Sequence, residues 1–376
     1  MRASWKRRAY AGSTHPKTSI SPASWPRSSR SFRSRMPSEH PASTASSNSR
    51  GSTAPARELA ERVGAGDRAA IAEALNQVDD DRPENREAAL ALLDALETHP
   101  HGVRIGVTGA PGVGKSTLLD ALVSGLRKRG RSVGVLAVDP SSKRSGGALL
   151  GDRMRLRSAT REPGVFMRSL AARDQLGGLS EITGASLDVL SSALDAVFVE
   201  TVGVGQSEAQ VIDLVDSLVF VAQPAAGDLI QFMKAGILEW PDVFFVNKSD
   251  LGNLTDRAAA ELRAGLDLGS RRDPDHLPAV LCGSAREGIG IEALIDAIDD
   301  HRQYLKESGL GEIRRRAGRD ARVRSALATR YGRFGLERLE AGAIESLTAD
   351  RPSLSIDRQI DDLGRRIEKA LGSDGP

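Results

Sequence analysis

The sequence predicts an α/β fold, a mostly parallel sheet with helices on both faces, with helical extensions at the N- and C-terminal ends. Three observations carry this. Short apolar runs recur through the middle of the chain, at Val103–Val107, Val133–Val138, Ala196–Val199, Val243–Val246 and Ala279–Leu281. Continuous rather than alternating apolar character marks strands buried on both faces. An amphipathic segment at helix spacing, Leu118 to Leu126, follows the first run, and polar or glycine-bearing turns fall at the ends of the runs, where such a sheet places ligands.

The turn after the first run reads Gly109-Ala-Pro-Gly112-Val113-Gly114-Lys115-Ser116-Thr117 and fits G-x-x-x-x-G-K-[ST]. Phosphates are polyanions, so their site needs accessible N–H groups and a positive charge without bulky side chains. Glycines let the backbone curl its N–H groups inward, and the following helix adds its N-terminal dipole. Lys115 is expected to reach the β- and γ-phosphates and Ser116 to bind Mg2+. The strand before and the helix after set this match apart from an ordinary glycine-rich turn, and the fold expected is a P-loop NTPase G domain.

The second run ends at Asp139-Pro140-Ser141-Ser142, and a glycine-containing loop follows with a further acid at Asp152. The third run enters Glu200-Thr-Val-Gly203-Val204-Gly-Gln206-Ser-Glu208. Acid-x-x-Gly after a strand is the usual γ-phosphate switch: the acid orients water on Mg2+ and the glycine N–H touches phosphate. Glutamate stands here in place of the commoner aspartate. Val204 occupies the position where many GTPases carry the glutamine that places the attacking water, and Gln206 is displaced from it. Slow intrinsic hydrolysis, open to stimulation by a partner, is the expectation.

The fourth run ends in Asn247-Lys248-Ser249-Asp250, an N-K-x-D motif about 130 residues after the phosphate loop. Guanine presents two donors at its N1–H and N2 amine. Asp250 can accept both, whereas adenine would leave the carboxylate unpaired. Asn247 is expected to bridge loops and Lys248 to lay its stem on the base. Ser284 and Ala285, after Ala279–Leu281, resemble the S-A loop whose backbone N–H meets the guanine oxygen. GTP and GDP are therefore the expected ligands.

V-D-P-S-S at 138–142, L-L-G-D-R at 149–153, E-T-V-G-V-G-Q-S-E at 200–208 and G-D-x-x-Q-x-x-K-x-G-x-x-E at 227–239 resemble the MeaB family, the methylmalonyl-CoA mutase-associated GTPases of the metallochaperone-like P-loop class. The resemblance covers roughly residues 56 to 340. It implies a homodimeric GTPase chaperone of an adenosylcobalamin-dependent acyl-CoA mutase, gating cofactor loading and protecting or reactivating the mutase. It also implies Asp139, Asp152 and Glu200 as acids around the metal, Gly203 to Gln206 as a second switch, and Gln231 and Lys234 in a third switch facing the partner. Phe166 to Gly178 departs from the proline- and serine-rich version common in the family, which points to a different client mutase. The family's older transport-system label leaves an alternative, a nucleotide-dependent kinase or ATPase linked to basic amino acid transport. A small-molecule kinase needs a general base beside the γ-phosphate, and the sequence offers no such extra constellation.

Composition narrows the classes. Net charge is +2 over 376 residues, which gives no broad basic field for nucleic acid. The lone Cys282 excludes an internal disulfide framework and suits a reducing, cytoplasmic setting. His99 and His101 lie close in sequence without a second pair to complete a zinc site. No apolar stretch approaches the roughly 20 residues of a membrane span.

Four regions follow. Residues 1–55 are basic and rich in Ser, Arg and Pro, with Glu39 the only acid before Glu58. That composition predicts disorder. It reads either as an organellar transit peptide, placing the protein in the mitochondrial matrix, or as the product of a start upstream of the true initiator, for example Met36. Residues 56–100 have helical spacing, with Asp67 placed to cap a second helix and Pro83 opening a third. Residues 101–300 form the GTPase domain, and 301–376 are helix-prone. Leu305 to Leu339 is strongly basic, including Arg314-Arg315-Arg316, and reads as a nucleic-acid or acidic-ligand patch or as a solvated helix face. The family resemblance implies a dimerisation arm there, and the stripe Leu354, Ile356, Ile360, Leu363, Ile367 and Leu371 predicts a docking helix.

Overall fold

A computed structural model of the chain describes residues 53–140, 162–172, 181–201, 210–224, 239–268, 271–351 and 353–373. Three helices come first: α1 (Thr53–Gly64), α2 (Arg68–Val78) and α3 (Pro83–Leu96). Asp67 caps α2 as its position predicts, its carboxylate accepting from the N–H groups of Ala69 and Ala70, and Pro83 opens α3, where its missing N–H costs nothing.

Strand β1 (Val103–Thr108) leads through the glycine-rich turn into α4 (Lys115–Lys128) and then β2 (Val133–Pro140). After β3 (Val165–Ala172) come α5 (Glu181–Ala193), β4 (Ala196–Glu200), β5 (Ser217–Ala222), β6 (Val243–Val246), α6 (Asn253–Leu268), β7 (Ala279–Cys282) and α7 (Ile291–Ser308). The seven strands form one sheet in the order β3-β2-β4-β1-β5-β6-β7, and every pairing is parallel. Both faces of the sheet are covered, so β4, β5 and β6 are buried at every residue and apolar apart from the terminal Glu200 and Ser217.

One face of the sheet shares a core with α1, α2, α3 and α5, including Ile71, Leu75, Leu92, Leu190 and Val199. On the other, α4 packs with α7. At the far edge α6 joins β5 and β6 through Phe220, Phe244 and Leu262. Helix α2 also guards the edge strand β3. Arg68 donates to Val165 O at 2.7 Å and lies over the Phe166 ring, and Arg168 reaches Asn76 and Asp79. An uncovered parallel edge would be a template for foreign strands.

Two strands were not among the predicted runs. β3 reads Val-Phe-Met-Arg-Ser-Leu-Ala-Ala, a mixed pattern that suits an edge position, and it occupies the start of the segment that departs from the family pattern. β5 is an apolar run, Ser-Leu-Val-Phe-Val-Ala, without an adjoining binding motif to draw attention to it.

The C-terminal helices are α8 (Leu310–Leu336), α9 (Ala343–Asp350) and α10 (Ile356–Ser373), with their own core of Val323, Leu327, Leu347, Ile360, Leu363 and Ile367. The basic character of α8 is used inward. Arg314 pairs with Asp242 at 2.9 Å, Arg315 with Asp216 at 2.7 Å, Arg319 with Glu97 at 3.0 Å and Arg322 with Asp188 at 3.3 Å. These four guanidinium groups fasten α8 to acids of the first three hundred residues, while Arg316, Arg324 and Arg333 of the same helix stay exposed. Asp216 and Asp242 in turn accept backbone N–H groups at the N-terminal edge of the sheet, from Arg104 and Leu218. Helix α10 returns to α3, where Arg358 pairs with Asp94 and Glu87.

Candidate functional site

Because every strand runs the same way, the ends of β1, β4, β5 and β6 share one edge of the sheet. The chain leaves β1 toward β2 on one side and later crosses to β5 on the other, so the order diverges at β1. That is the place where open α/β sheets bind ligands.

The phosphate-loop turn needs its glycines for stated reasons. Gly109 has φ 142°, and a Cβ there would lie 2.2 Å from Val221 O; Gly114 has φ 99°, and a Cβ would lie 2.5 Å from Asn247 Nδ2. Any other residue would strike β5 or the N-K-x-D turn as well as strain the backbone. Lys115 opens α4 with its side chain buried, and Nζ donates to Gly109 O at 2.9 Å and Ala110 O at 3.2 Å. The ammonium is thus curled over the concave backbone in which phosphates are held. Thr117 is exposed on the first turn of the helix.

Ser116 Oγ donates to Glu200 Oε1 at 2.8 Å. Glu200 is the last residue of β4 and is buried. The next residue, Thr201, ties this strand end to β1, its N–H donating to Val107 O at 3.2 Å and its hydroxyl to Thr108 Oγ1 at 3.1 Å. A hydroxyl and a carboxylate side by side at a phosphate loop are the donor set of a hard cation such as Mg2+, which takes one or two protein oxygens and fills the rest of its shell with phosphate and water. Among the described residues no group of three or more His, Cys, Asp or Glu side chains comes together as a cage that would hold a metal by itself.

Asn247 links three loops. Its N–H donates to Ala222 O at 2.8 Å, Nδ2 donates to Val113 O at 2.9 Å, and Oδ1 accepts from the Ala285 N–H at 2.9 Å. Lys248 has a left-handed backbone, φ 64° and ψ 44°, and its Nζ donates to Gly112 O at 3.1 Å. Asp250 is exposed and accepts from Ser284 Oγ at 3.1 Å. Gly109, Gly112, Val113, Gly114, Lys115, Ser116, Glu200, Asn247, Lys248, Asp250, Ser284 and Ala285 therefore lie along one connected edge. Asp139 is the penultimate residue of β2, at that edge. Its side chain, together with Asp152, Gly203, Gln206, Gln231 and Lys234, lies outside the described residues.

Sequence reasoning overlooked two parts of this edge, the Thr108–Thr201 tie and Gln223, which follows β5 and accepts from Lys248 Nζ. The signal for Gln223 was present: a polar residue before a proline, directly after an apolar run.

A glycine-rich turn of the phosphate-loop pattern at the divergence of a parallel sheet, joined through Asn247 to the N-K-x-D turn and the Ser284-Ala285 loop, is the arrangement of a P-loop GTPase. The chain belongs to the MeaB family: the family model described as methylmalonyl Co-A mutase-associated GTPase MeaB matches residues 71–331. A Mycobacterium tuberculosis protein named as a probable GTPase is 42% identical over 262 residues, 69% of this chain and 78% of its own length. GTPase ArgK of Escherichia coli is 37% identical over 256 residues, 67% of this chain and 77% of its own. The methylmalonic aciduria type A homolog, mitochondrial, of Mus musculus is 36% identical over 259 residues, 65% of this chain and 62% of its own. A solved structure described as an LAO/AO transport system kinase superposes with a TM-score of 0.62 at 28% identity, covering 86% of this chain and all of that one. Among the described residues no helix is long and apolar enough to cross a membrane.

Proposed function

We propose that this GTPase is the chaperone of an adenosylcobalamin-dependent acyl-CoA mutase, methylmalonyl-CoA mutase or a relative, gating cofactor loading and protecting or reactivating the enzyme. The observation that carries the reading is the match of residues 71–331 with a family described as mutase-associated. The geometry supports a GTP-timed device. Lys115 would hold the β- and γ-phosphates, and the Ser116 and Glu200 oxygens would hold Mg2+, which would supply charge neutralisation of the phosphates. Asn247, Lys248 and Asp250 hold guanine, with the Ala285 N–H shared between Asn247 Oδ1 and the guanine oxygen. Glu200 is the last residue of β4, so a group bound at its carboxylate would be linked directly to that strand end.

A homodimer is part of this proposal. It rests on the family match; the exposed Ile313 and Phe334 on α8 are single apolar side chains of a kind ordinary on a monomer surface and do not argue for it. A cytoplasmic location belongs to it as well. The solved relative described as a transport system kinase favours a second reading, a nucleotide-dependent kinase or ATPase linked to basic amino acid transport.

The deciding experiment is GTP turnover by the purified protein with and without acyl-CoA mutases from the same organism, with ATP as control. Slow GTP turnover accelerated by one mutase establishes the chaperone and names its client. Turnover indifferent to every mutase removes the chaperone reading, and preference for ATP restores the kinase.

A further inference from the structure

Lys248 is the only non-glycine residue with positive φ among the described residues. A lysine held in that region leaves the backbone in a direction that local rotation cannot readily change. Its ammonium comes to rest between two uncharged acceptors. One is Gly112 O of the phosphate loop at 3.1 Å; the other is Oε1 of Gln223, to which Nζ also donates. Gln223 is placed there by the sheet. Ala222 pairs with Val246 in the β5–β6 register, and the Asn247 N–H donates to Ala222 O, so the residue after β5 must lie beside the N-K-x-D turn. It is half-buried, where an amide–ammonium hydrogen bond is less exchanged with water than on an open surface.

We infer that Gln223 is a positioning residue of the guanine site: its amide oxygen holds the Lys248 ammonium against the phosphate loop, keeping the lysine stem over the base and slowing nucleotide release. This rests on the placing of guanine at Lys248 and Asp250. Gly112 O alone leaves the ammonium free to swing outward about its four-carbon stem. The second acceptor, on a different strand, confines it from the opposite side. The stem covers the base plane, which guanine and hypoxanthine share, whereas Asp250 reads the edge, where they differ by one amine. Gln223 therefore governs how long a nucleotide stays, not which purine is preferred.

The test is the release rate of fluorescent GDP and IDP from the full chain. Gln223→Leu releases both about tenfold faster, the loss of one charge-assisted hydrogen bond. Gln223→Glu keeps an acceptor and stays within about threefold of the parent rate. In a Lys248→Met background, Gln223→Leu adds nothing. A parental rate for Gln223→Leu, a Gln223→Glu variant as fast as Gln223→Leu, or a full additional effect in the Lys248→Met background each overturns the inference. If Gln223→Leu folds poorly, Gln223→Met removes the same acceptor with a flexible side chain. Asp250→Asn tests the placing of guanine separately: an unchanged preference for GDP over IDP refutes that placing, while the Gln223–Lys248 coupling is still read from the double variant.

Discussion

Ser116 and Glu200 meet at the end of the sheet, the serine hydroxyl donating to the glutamate carboxylate over 2.8 Å. One belongs to the phosphate loop and the other closes β4, so the contact joins nucleotide binding to the strand whose continuation carries the E-T-V-G-V-G-Q-S-E string. A glutamate reaches this point with one more methylene than the commoner aspartate, which lets the strand end stand further from Ser116.

Glu200→Ala removes that link. GTP turnover falls by about 100-fold, the usual scale for one electrostatic group aimed at a phosphoryl transfer, while GDP still binds through the loop amides and Lys115. Single-turnover hydrolysis at saturating Mg2+ measures the first, and equilibrium titration with GDP the second. Turnover within about threefold of the parent would remove Glu200 from the metal site.

Asn247→Ala breaks two buried hydrogen bonds at once, those to Val113 O and from the Ala285 N–H. Leaving backbone groups unsatisfied costs about 1–3 kcal/mol each. Urea unfolding of the nucleotide-free protein should show a loss on the order of 2–4 kcal/mol by that scale, together with weaker GDP binding. A loss confined to binding would mean that the three loops do not depend on this side chain for their form.

Arg315→Met strips Asp216 of its guanidinium partner. Asp216 is buried, and burial pushes its carboxyl up, but the Arg315 charge and hydrogen bond and the Arg104 N–H outweigh this and hold it below the usual carboxylate range. Removing one partner of a buried pair costs about 3–5 kcal/mol. The outer part of Arg315 is solvated, so a loss of about 2–3 kcal/mol is expected. Urea unfolding at low and high salt checks this. A loss that vanishes in about 1 M salt would mark an ordinary surface pair.

Asp357 and Asp242 pull the pH dependence in opposite directions. Burial pushes Asp357, at the start of α10, up to about 6 against the opposing charges of Arg322 and Arg86, with Asp188 and Glu181 reinforcing the rise. Its folded state therefore binds the proton more tightly than the unfolded chain, and stability increases as pH falls from above 6 toward 4. For Asp242 burial also acts upward, but the His301 hydrogen bond and the charges of His301, Arg314 and Arg272 carry it down to about 2. Its contribution is complete above the unfolded value near 4 and disappears as pH falls to 2. Denaturant unfolding from pH 8 to 3 should show a maximum between about 4 and 6. Asp357→Asn should flatten the upper limb, gaining about 2–3 kcal/mol at pH 8. An unchanged upper limb would assign it to another group.

The phosphate loop, the N-K-x-D turn and the α/β character were all legible in the chain itself. Each depends on a few adjacent residues: glycines that curl one turn, a lysine and a serine on the first helical turn after it, an apolar run that ends in a carboxylate. Asp67 as a cap and Pro83 as a helix start belong to the same local class. The edge strand β3 was not legible, because its alternation is diluted by Arg168 and Ser169 and its strand state depends on β2 and on Arg68 of α2.

Tertiary structure alone decided which groups meet. Gln223 finds Lys248 because parallel pairing brings the ends of β5 and β6 level. Arg314, Arg315, Arg319 and Arg322 find Asp242, Asp216, Glu97 and Asp188 across separations of 72 to 222 residues. A run of arginines announces only positive charge. Whether that charge faces water, a ligand or the protein's own carboxylates is settled by how the helix is turned, and its apolar face is fixed by the packing of Val323, Leu327 and their neighbours against α9 and α10. Local backbone chemistry is written in adjacent residues, whereas long-range charge pairing is a consequence of how the apolar faces close, and no short stretch of sequence contains it.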